Sequence, residues 1–538
     1  MRTFKYIVQL NVVFAISILM LFSCMEKNDW DVDSSYDRLF STSEITVRAT
    51  DSEATLEWSK PANTDYFIIE VSTDSLHNDI ELGSTAGSIV YGTDKSIKSS
   101  PIIITGLSSS TKYYLRLKGY SEIKPESKWF YHSSYYFTTR AEVEEQLFSP
   151  VGNEDKTSTS TTLRWTPGEL VTHIILQEGD NPEVRINLDD VDVAAGAKLI
   201  EDLSASTTYT AYLYNEEKKR GEITFTTLID TGAGNSIVVE PTDDLKALLE
   251  GADNGDTFVL NSGIYNTETI NVSKSISIIG MDSDNKPMLK DVVFKPEGDA
   301  ALTLKNLILD GAEANDGSQV IVYPAGSNFG DLVIEDCDIK NYVKGVLYLN
   351  NNTLVNSITI TKCIFSDIEC AGGDFIDFRN GATRTLLFAE NTVSNCSKTR
   401  DLFRMDAGGS TNNPSVIGTI TVNNNTFDKV ALGSSSRIFY IRLGANFSVT
   451  ANNNIFSNTT ATYSNQSVTQ QSIDNATSMI GNNYFNAPRL FDTAERVHDN
   501  SGTHTILDPE YQDAANGDFT VNNSALKTAH VGDPRWLQ

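Results

Sequence analysis

One short motif recurs along the C-terminal part of the chain: an apolar residue, two variable residues, an Asn or Cys, one variable residue and another apolar residue. The Asn or Cys positions, 26 to 34 residues apart, are Asn306, Cys337, Cys363, Asn391, Asn425, Asn454 and Asn483. A repeat of this length predicts a solenoid in which each unit forms one coil. Asn side chains stacked from coil to coil satisfy an amide donor and an acceptor at once, so we expect a buried ladder.

Two further features precede these repeats. The stretch "DDLKALLEGA" (Asp243 to Ala252) predicts a short amphipathic helix, and "GDTFVLNSGIY" (Gly255 to Tyr265) follows it. Together with the ladder, they resemble the right-handed parallel β-helix of the pectate-lyase superfamily over residues 237–486. The stretch 507–525 resembles the closing segment of bacterial members. We therefore expect residues 230–538 to form one β-helical domain.

Four cysteines lie in this domain. Cys337 and Cys363 occupy successive ladder positions, Cys396 matches a core position and Cys370 lies in a turn. An exported protein can form a disulfide, so this alternative is kept. Buried free thiols are the favoured interpretation. A zinc site is not expected, because no pair has the short spacing of zinc ligands and the chain has 6 His.

The N-terminal region contains two similar copies of one pattern. The stretch "ATLEWSKP" matches "TTLRWTPG", and "GLSSSTKYYLRL" matches "DLSASTTYTAYL". Each copy has a core tryptophan and a corner tyrosine: Trp58 and Tyr113 in the first, Trp165 and Tyr209 in the second. These landmarks resemble the fibronectin type III module, a two-sheet sandwich. The resemblance implies one module over residues 41–140 and another over 141–229, both serving as spacers or protein contacts.

The first residues predict an export signal. Arg2 and Lys5 precede an apolar run ending at Phe22, a pattern that suits a short signal better than a transmembrane anchor. The motif "LFSC" resembles the lipobox of bacterial lipoproteins, in which the cysteine is acylated after cleavage. It implies a signal peptide over 1–23, a lipid on Cys24, an acidic tether over 24–40 and attachment to the outer membrane, on its surface or periplasmic side. A chance cysteine behind an ordinary signal is the alternative.

Charge restricts the partners. The chain has a formal net charge of −29, which repels nucleic acid and anionic membranes. Nucleic acid is therefore not an expected partner, and contact with a membrane is expected through the N-terminal lipid only. An anionic polysaccharide would also be repelled unless a local basic patch receives it.

Four successive strands of the predicted β-helix carry outward polar side chains: "GVLYLN", "DFIDFR", "DLFRMD" and "RIFYIR". Two columns result, the first with Tyr348, Asp377, Arg404 and Tyr440, the second with Asn350, Arg379, Asp406 and Arg442. In pectate-lyase-like proteins this sheet forms the floor of the substrate groove, so the resemblance implies that the eight residues bind a glycan. Tyrosine faces suit pyranose rings, and arginine forks suit carboxylates or hydroxyls.

A structural role for the same charges is the alternative. Asp377 with Arg404, Arg379 with Asp406, and Asp406 with Arg442 would form cross-strand pairs that keep the sheet soluble and in register.

Catalysis has less support. Lyases on this fold abstract a proton beside a uronate carboxyl with an Arg or Lys base, so Arg379, Arg404 and Arg442 are the candidate bases, with Lys344 as a helper. No metal ligand and no certain cofactor is predicted. A calcium ion is expected only if the chain is a lyase, and the arginines beside Asp377 and Asp406 would compete with calcium for these carboxylates. The carboxylate pair of a hydrolase is not predicted, because these aspartates lie in different columns.

The sequence thus predicts an all-β chain, with two fibronectin III-like β-sandwiches followed by a right-handed parallel β-helix. The predicted function is polysaccharide binding, of an acidic or pectin-like polymer, by a cell-envelope lipoprotein. A polysaccharide lyase is the first alternative, and an adhesin or structural spike is the second. A resemblance to lipoproteins associated with polysaccharide uptake adds other outer-membrane glycan-uptake proteins as expected partners.

Overall fold

The computed structural model describes residues 37–141, 145–232, 234–314, 319–326, 328–350, 352–464 and 479–538. The predicted signal peptide, Cys24 and residues 25–36 of the predicted tether lie outside these ranges. The chain divides into two compact units, the first ending at Glu145 and the second spanning Gln146–Gln538. Within the described ranges, no helix combines the length and the apolar composition needed to cross a membrane.

The first unit contains an antiparallel β-sandwich. Its strands are β1 (Ile45–Ala49), β2 (Glu53–Trp58), β3 (Tyr66–Ser72), β4 (Ile89–Tyr91), β5 (Ile102–Thr105), β6 (Lys112–Tyr120) and β7 (Phe130–Thr138). One sheet has the order β1-β2-β5 and the other the order β4-β3-β6-β7. Alternate residues of the strands fill the core, where Trp58 and Tyr113 are buried.

The second unit begins with another sandwich. Its elements are β8 (Thr161–Arg164), β9 (His173–Gln177), β10 (Val184–Asn187), α1 (Asp190–Ala195), β11 (Ala197–Ile200), β12 (Thr208–Asn215) and β13 (Lys218–Thr226), with a 3-10 helix at Asn153–Asp155. The sheets have the orders β10-β9-β12-β13 and β11-β8. Trp165 and Tyr209 lie in the core, as the repeated sequence predicts.

The two sandwiches share the same corner in atomic detail. The Ser108 N–H donates to the Tyr113 hydroxyl at 2.9 Å, and the Ser204 N–H donates to the Tyr209 hydroxyl at 3.0 Å. In both copies the tyrosine therefore satisfies a backbone donor five residues upstream, as a fibronectin-type tyrosine corner does.

A parallel β-solenoid forms the rest of the second unit. Its first strands are β14 (Ser236–Val239), β15 (Thr257–Leu260), β16 (Ile264–Asn266), β17 (Thr269–Val272), β18 (Ile276–Gly280), β19 (Met288–Lys290), β20 (Val293–Pro296), β21 (Leu302–Lys305), β22 (Ile308–Asp310), β23 (Gln319–Tyr323), β24 (Asn328–Phe329), β25 (Leu332–Glu335), β26 (Asp338–Lys340) and β27 (Gly345–Leu349). The later strands are β28 (Leu354–Thr361), β29 (Ile364–Ser366), β30 (Ile376–Phe378), β31 (Ala382–Ala389), β32 (Thr392–Ser394), β33 (Phe403–Met405), β34 (Gly418–Asn423), β35 (Thr426–Asp428), β36 (Phe439–Ile441), β37 (Phe447–Asn452), β38 (Ile455–Ser457) and β39 (Asn483–Phe485). Helices α2 (Leu245–Glu250) and α3 (Gly408–Asn412) and a 3-10 helix at Pro488–Leu490 complete it.

Three parallel sheets run along this solenoid. Their orders are β14-β15-β18-β21-β25-β28-β31-β34-β37, β16-β19-β22-β26-β29-β32-β35-β38-β39 and β17-β20-β23-β27-β30-β33-β36, with β24 paired to β28. A typical coil contributes one strand to each sheet; the described residues supply seven strands to the third sheet and nine to each of the other two orders. Inward side chains of all three sheets fill one continuous hydrophobic core. The third of these sheets carries the predicted glycan-binding columns.

The second sandwich contacts the solenoid through a buried ion pair. Lys156 Nζ lies 2.8 Å from Asp282 Oδ1 and 2.9 Å from Asp284 Oδ2. The Thr226 N–H also donates to Asp284 at 2.8 Å. Because breaking a buried pair strands a desolvated charge, this contact fixes the sandwich on the solenoid.

The predicted Asn ladder exists in the later coils. The Asn391 amide donates to Asn425 Oδ1, the Asn425 amide to Asn454 Oδ1, and the Asn454 amide to Asn482 Oδ1, at 2.9–3.1 Å. Each side chain also donates to a backbone carbonyl, for example Asn425 to Phe388 at 3.0 Å. Every member is fully buried and hydrogen-bonded, as the prediction required.

At both ends of the series the predicted ladder residue is wrong by one position. Asn306 has a φ of 55° and is partly exposed, whereas the inward residue of its coil is the buried Leu307. The last ladder residue is Asn482, and Asn483 instead binds Thr505 and the Leu507 backbone. For Asn306 the cause is the turn: a left-handed residue precedes each inward position, and Asn tolerates that conformation as well as the ladder position. In the last coil Gly481 holds the left-handed position, and the adjacent Asn482 and Asn483 cannot be told apart by residue type.

The four cysteines of the solenoid are buried free thiols, as predicted. Cys337 and Cys363 replace Asn in the ladder. Burial raises the pKa of Cys396 to about 12, so this sulfur stays a neutral, apolar group in the core.

The C-terminal segment packs along the last coils. It comprises β40 (Tyr511–Asp513), β41 (Asp518–Val521), α4 (Ser524–Thr528) and 3-10 helices at Ala514–Asn516 and Pro534–Trp536. The Thr392 hydroxyl donates to the buried Asp533 at 2.8 Å, and the Trp536 indole N–H donates to Thr392 at 2.7 Å. Phe519 and Trp536 cover the apolar side of this segment.

Candidate functional site

Nine side chains of three successive coils form a grid on the outer face of the third sheet. The strand pairing places Asp377 beside Arg404 and Arg404 beside Tyr440. The columns are Asp374, Asp401 and Arg437; Asp377, Arg404 and Tyr440; and Arg379, Asp406 and Arg442. We call these nine residues, together with the adjacent Arg400, the arginine–aspartate grid. Inward residues of the same strands, such as Phe403 and Phe439, pack in the core, which fixes the outward direction of the grid.

The coil before the grid continues two of its columns. Tyr348 pairs with Asp377 across β27 and β30. The Arg379 N–H donates to the Leu349 carbonyl at 2.9 Å, which aligns Asn350 with Arg379. All eight residues predicted from the sequence therefore lie on one face, in the predicted order.

The ion pairs within the grid differ from the predicted cross-strand pairs. Arg379 Nε lies 2.9 Å from Asp377 Oδ1 on its own strand, and Arg404 binds Asp406 on its own strand through Nε and Nη2 at 3.1 Å. Only the pair between Arg442 and Asp406, at 2.7 Å, crosses strands as predicted. Residues i and i+2 of a strand face the same side, and an arginine is long enough to present its fork to both carboxylate oxygens there.

Asp374 is the hub of the grid, and the sequence reasoning missed it. Its side chain is 1% exposed and lies 3.0 Å from Arg400 and 3.5 Å from both Arg379 and Arg404. It also accepts the Asp401 N–H at 3.1 Å. One buried carboxylate thus positions three arginines.

The other two members of this column, Asp401 and Arg437, are also absent from the predicted site, and Asp401 holds Arg437. Arg437 reaches Asp401 through Nε at 2.9 Å and Nη2 at 2.8 Å. Its guanidinium carbon lies 3.6 Å from the centroid of the Tyr440 ring, with Arg442 at 4.8 Å. Arginine therefore already lies against the Tyr440 ring, and the stacking of a sugar on this tyrosine stays a prediction.

A signal for these residues is present in the sequence. Asp374, Asp401 and Arg437 each lie three residues before a member of the central column, giving the patterns D-x-x-D-x-R, D-x-x-R-x-D and R-x-x-Y-x-R. Counting polar positions at this spacing, beyond the two alternating positions of each short strand, would have found the third column. Arg400 has no counterpart in this spacing.

Burial divides the grid into a hidden acidic layer and a partly exposed basic layer. Asp374, Asp377, Asp401 and Asp406 are buried, whereas the five arginine side chains are each 19–35% exposed. The two columns thus lie on the outer face, as predicted, but arginines cover the outward carboxylates of Asp377 and Asp406. With every group ionised, five arginines against four aspartates give a net charge of +1 on a strongly acidic protein.

The aspartates have unequal proton affinities. Burial, and then the neighbouring Asp374 carboxylate, raise the pKa of Asp377 to about 6. Burial also raises the pKa of Asp401. For Asp406 burial opposes ionisation, but hydrogen bonds from Arg404 and Arg442 outweigh it and lower the pKa.

This arrangement suits ligand binding better than proton abstraction. Arg379, Arg404 and Arg442 are each held by a carboxylate, and the pKa of Arg404 is raised above its ordinary value by Asp406 against the effect of its own burial. A base must lose its proton before it can abstract another, so these contacts work against the predicted catalytic role. Among the described residues, no cluster of three or more His, Cys, Asp or Glu is arranged to hold a metal ion.

Two stretches of the chain match models of domains of unknown function. DUF4957 matches residues 263–396 and DUF5123 matches residues 420–536. The grid is divided between these two matches and the interval separating them, which contains Arg400, Asp401, Arg404 and Asp406. No curated protein matches the chain.

Similar solved structures include fibronectin type III segments. A two-domain segment of chicken tenascin is 16% identical, with 35% of this chain and 97% of that chain covered and a TM-score of 0.18. The first three fibronectin domains of chicken CNTN1 are 14% identical, with a TM-score of 0.17; 35% of this chain is covered and 65%, less than two thirds, of that chain. The sandwich assignment itself rests on the strand orders and the tyrosine corners.

Proposed function

We propose that the arginine–aspartate grid binds an acidic polysaccharide, and that the chain presents this grid from the cell envelope as a lipoprotein. One observation carries the proposal: five partly exposed arginines are gathered on one face of a protein whose net charge is −29. Such a patch gives an anionic polymer a local attraction within a surface that otherwise repels it.

The buried aspartates hold the arginines in place before any ligand arrives. Asp374, Asp401 and Asp406 together fix Arg379, Arg400, Arg404, Arg437 and Arg442. A positioned arginine loses less conformational entropy when it binds than a free one does. Its planar fork also matches a carboxylate with two hydrogen bonds.

The shape of the face suits an extended chain. The grid spans three coils, and Tyr348 and Asn350 extend it by a fourth. Neighbouring coils in a sheet lie about 4.7–4.9 Å apart, so the face is an elongated strip with repeated positive charge. A polymer with an acidic group on each sugar provides the matching repeat.

The test is a binding assay with polygalacturonate, and with a neutral glucan as the comparison polymer. Arg404→Ala and Arg442→Ala should each weaken polygalacturonate binding by about 10- to 100-fold, because a hydrogen bond to a charged group contributes about 1.5–3 kcal/mol. Arg384→Ala removes an exposed arginine from a different sheet, in β31, and should leave binding unchanged. Equal losses in all three variants, or no binding by the parent, would contradict the proposal.

The same assay distinguishes glycan binding from the lyase and scaffold alternatives. A lyase generates unsaturated ends that absorb ultraviolet light, with or without added calcium, and Arg379→Ala or Arg404→Ala abolishes them. A scaffold or adhesin without glycan affinity binds none of the polymers, and its variants change only in stability. The ion-paired state of the candidate bases favours binding without cleavage.

A further inference from the structure

The first sandwich has a loop folded over the outer face of its four-stranded sheet. This loop, residues 73–88, connects β3 to β4. Arg116 of β6 points outward from the sheet and donates to the His77 carbonyl at 2.6 Å and the Ile80 carbonyl at 3.0 Å. Glu70 of β3 accepts the Gly83 N–H at 2.9 Å and the Ser88 hydroxyl at 2.7 Å. The loop is therefore fastened to the sheet at several points.

Arg116 and Glu70 form a completely buried ion pair. Their side chains are 0% exposed, with Nη2 and Oε2 2.6 Å apart, and the Trp129 ring covers the guanidinium carbon at 4.4 Å. Burying two charges costs desolvation free energy that their attraction barely offsets, so such a pair is a poor stabilising device. It does impose one conformation on the groups around it. We therefore attribute the pair to holding the loop in one conformation, and not to stabilising the sandwich.

The fastened loop forms one wall of a cleft. The cleft has a volume of about 550 Å³ and is lined by residues 75–79 of the loop and by Tyr114, Leu115 and Tyr131 of the sheet. This volume lies within the range of about 300–1,000 Å³ that is typical of small-molecule sites. The Tyr131 hydroxyl donates to Asn78 Oδ1 at 2.9 Å, which joins the sheet wall of the cleft to the loop wall. The rim thus combines two tyrosine rings with amide and carboxylate groups.

We infer that this cleft binds a neutral sugar residue. Tyrosine rings offer apolar faces to the C–H face of a pyranose. The Tyr131 hydroxyl, which donates to Asn78, can still accept a hydrogen bond from a sugar hydroxyl. Asn78 and Asp79 supply donors and acceptors for hydroxyl groups. The charges around the two tyrosines are Asp74, Asp79 and Glu70 against Lys112 and Arg116, a net charge of −1. The Lys112 Nζ lies 4.9 Å from the Tyr114 ring. This acidic surrounding disfavours uronate or sulfate groups, in contrast to the arginine–aspartate grid.

The test titrates the full chain with neutral hexasaccharides of β-glucan, xylan and mannan, and with oligogalacturonide as the acidic probe. At least one neutral hexasaccharide should bind, and Tyr114→Ala and Tyr131→Ala should each weaken that binding by tenfold or more. Tyr66→Ala is the matched control, because Tyr66 stacks on Tyr120 of the same sheet but does not line the cleft. Melting temperatures of the three variants report whether the sandwich is intact.

Two results would overturn the inference. One is the absence of any neutral-sugar binding that depends on Tyr114 and Tyr131. The other is tighter binding of a cationic probe, tetramethylammonium, which would make the cleft an amine site. Tyr131→Phe keeps the ring and removes the bond to Asn78, so it tests the site if the alanine variants do not fold. Binding of oligogalacturonide that is lost in Arg404→Ala but kept in Tyr131→Ala reports on the grid alone, so the two proposals can fail separately.

Discussion

Arg404 binds Asp406, two residues further along its own strand, through Nε and Nη2 at 3.1 Å, while Arg442 of the next coil reaches the same carboxylate at 2.7 Å. One carboxylate therefore holds two arginines from adjacent coils. Its lowered pKa is the consequence of these two contacts. The grid is a set of shared carboxylates, so a substitution at one position changes the charge and position of several neighbours.

Asp406→Asn should lower the stability of the protein and strengthen its binding of polygalacturonate. The variant loses one negative charge beneath Arg404 and Arg442, so the charge of the grid rises from +1 to +2. We expect the free energy of unfolding to fall by about 1–3 kcal/mol, because hydrogen bonds to a charged partner are weakened. Binding of polygalacturonate should strengthen by about fivefold at low salt, since one unit charge at contact distance in water contributes about 1 kcal/mol. Denaturant unfolding and binding titrations measure the two effects.

The control for this prediction is Asp180→Asn, at an exposed position of the second sandwich. It makes the same change in total charge and should leave both quantities unchanged. Weaker binding by Asp406→Asn would show that the position of the arginines matters more than the charge of the grid.

A substitution in the Asn ladder should lower stability more than Asp406→Asn does. Asn425 donates to Asn454 and to the Phe388 carbonyl, and it accepts from Asn391. Asn425→Leu leaves these buried groups without partners, which should cost about 1–3 kcal/mol for each stranded group. Asn500→Leu, at an exposed asparagine, is the control. Thermal or denaturant unfolding checks the difference, and identical transitions for the two variants would contradict the ladder.

The ladder also shows where sequence reasoning succeeds and where it fails. Asn391, Asn425 and Asn454 were predictable because a solenoid repeats the same buried environment in each coil. The prediction is wrong at Asn306 because the left-handed turn residue before the ladder position accepts asparagine as well. It is wrong at Asn483 because two adjacent asparagines, Asn482 and Asn483, both fit the motif. Counting back two residues from the inward Leu309 and Tyr484 gives Leu307 and Asn482, since side chains alternate. The alternation of side chains along the strand therefore identifies the ladder residue where residue type alone does not.

The site was predictable in outline only. The alternation of β30, β33 and β36 gives the columns that contain Asp377 and Asp406. It does not reveal that arginines cover both carboxylates, because this coverage depends on side-chain rotamers and on Asp374, which lies outside strand β30. The cleft at Tyr131 was beyond prediction for a similar reason: it exists through the pairing of Glu70 with Arg116, 46 residues apart in the chain.

The N-terminal anchor makes a separate prediction. If Cys24 is acylated, Cys24→Ser should release the protein from the membrane fraction or leave an uncleaved precursor of larger mass. Fractionation followed by gel mobility measures both results. A conservative change of the adjacent residue, Ser23→Ala, should keep the anchor. Unchanged attachment and mobility of Cys24→Ser would refute the lipoprotein prediction.

Asp377 gives the stability of the protein a defined pH dependence. Its pKa is about 6 in the folded protein, against an ordinary value of 3.8, so between about pH 4 and 6 the folded state binds more protons than the unfolded state does. The contribution of Asp377 to the free energy of unfolding therefore falls as pH rises through this window. A shift of about two pKa units corresponds to about 3 kcal/mol. Asp377→Asn mimics the protonated carboxyl, so its stability relative to the parent should rise by up to this amount from pH 4 to pH 7.

The same proton should control binding to the grid. Protonation of Asp377 raises the charge of the grid from +1 to +2, so the parent should bind a polyanion more tightly at pH 5 than at pH 7. Asp377→Asn should keep the pH 5 affinity at both values. Dextran sulfate is the suitable probe, because its own charge stays constant over this range, unlike that of a uronate polymer. Arg384→Ala should follow the parent. If the parent and Asp377→Asn instead showed parallel pH profiles, the proton would belong to another group, with Asp401 as the next buried carboxylate to replace.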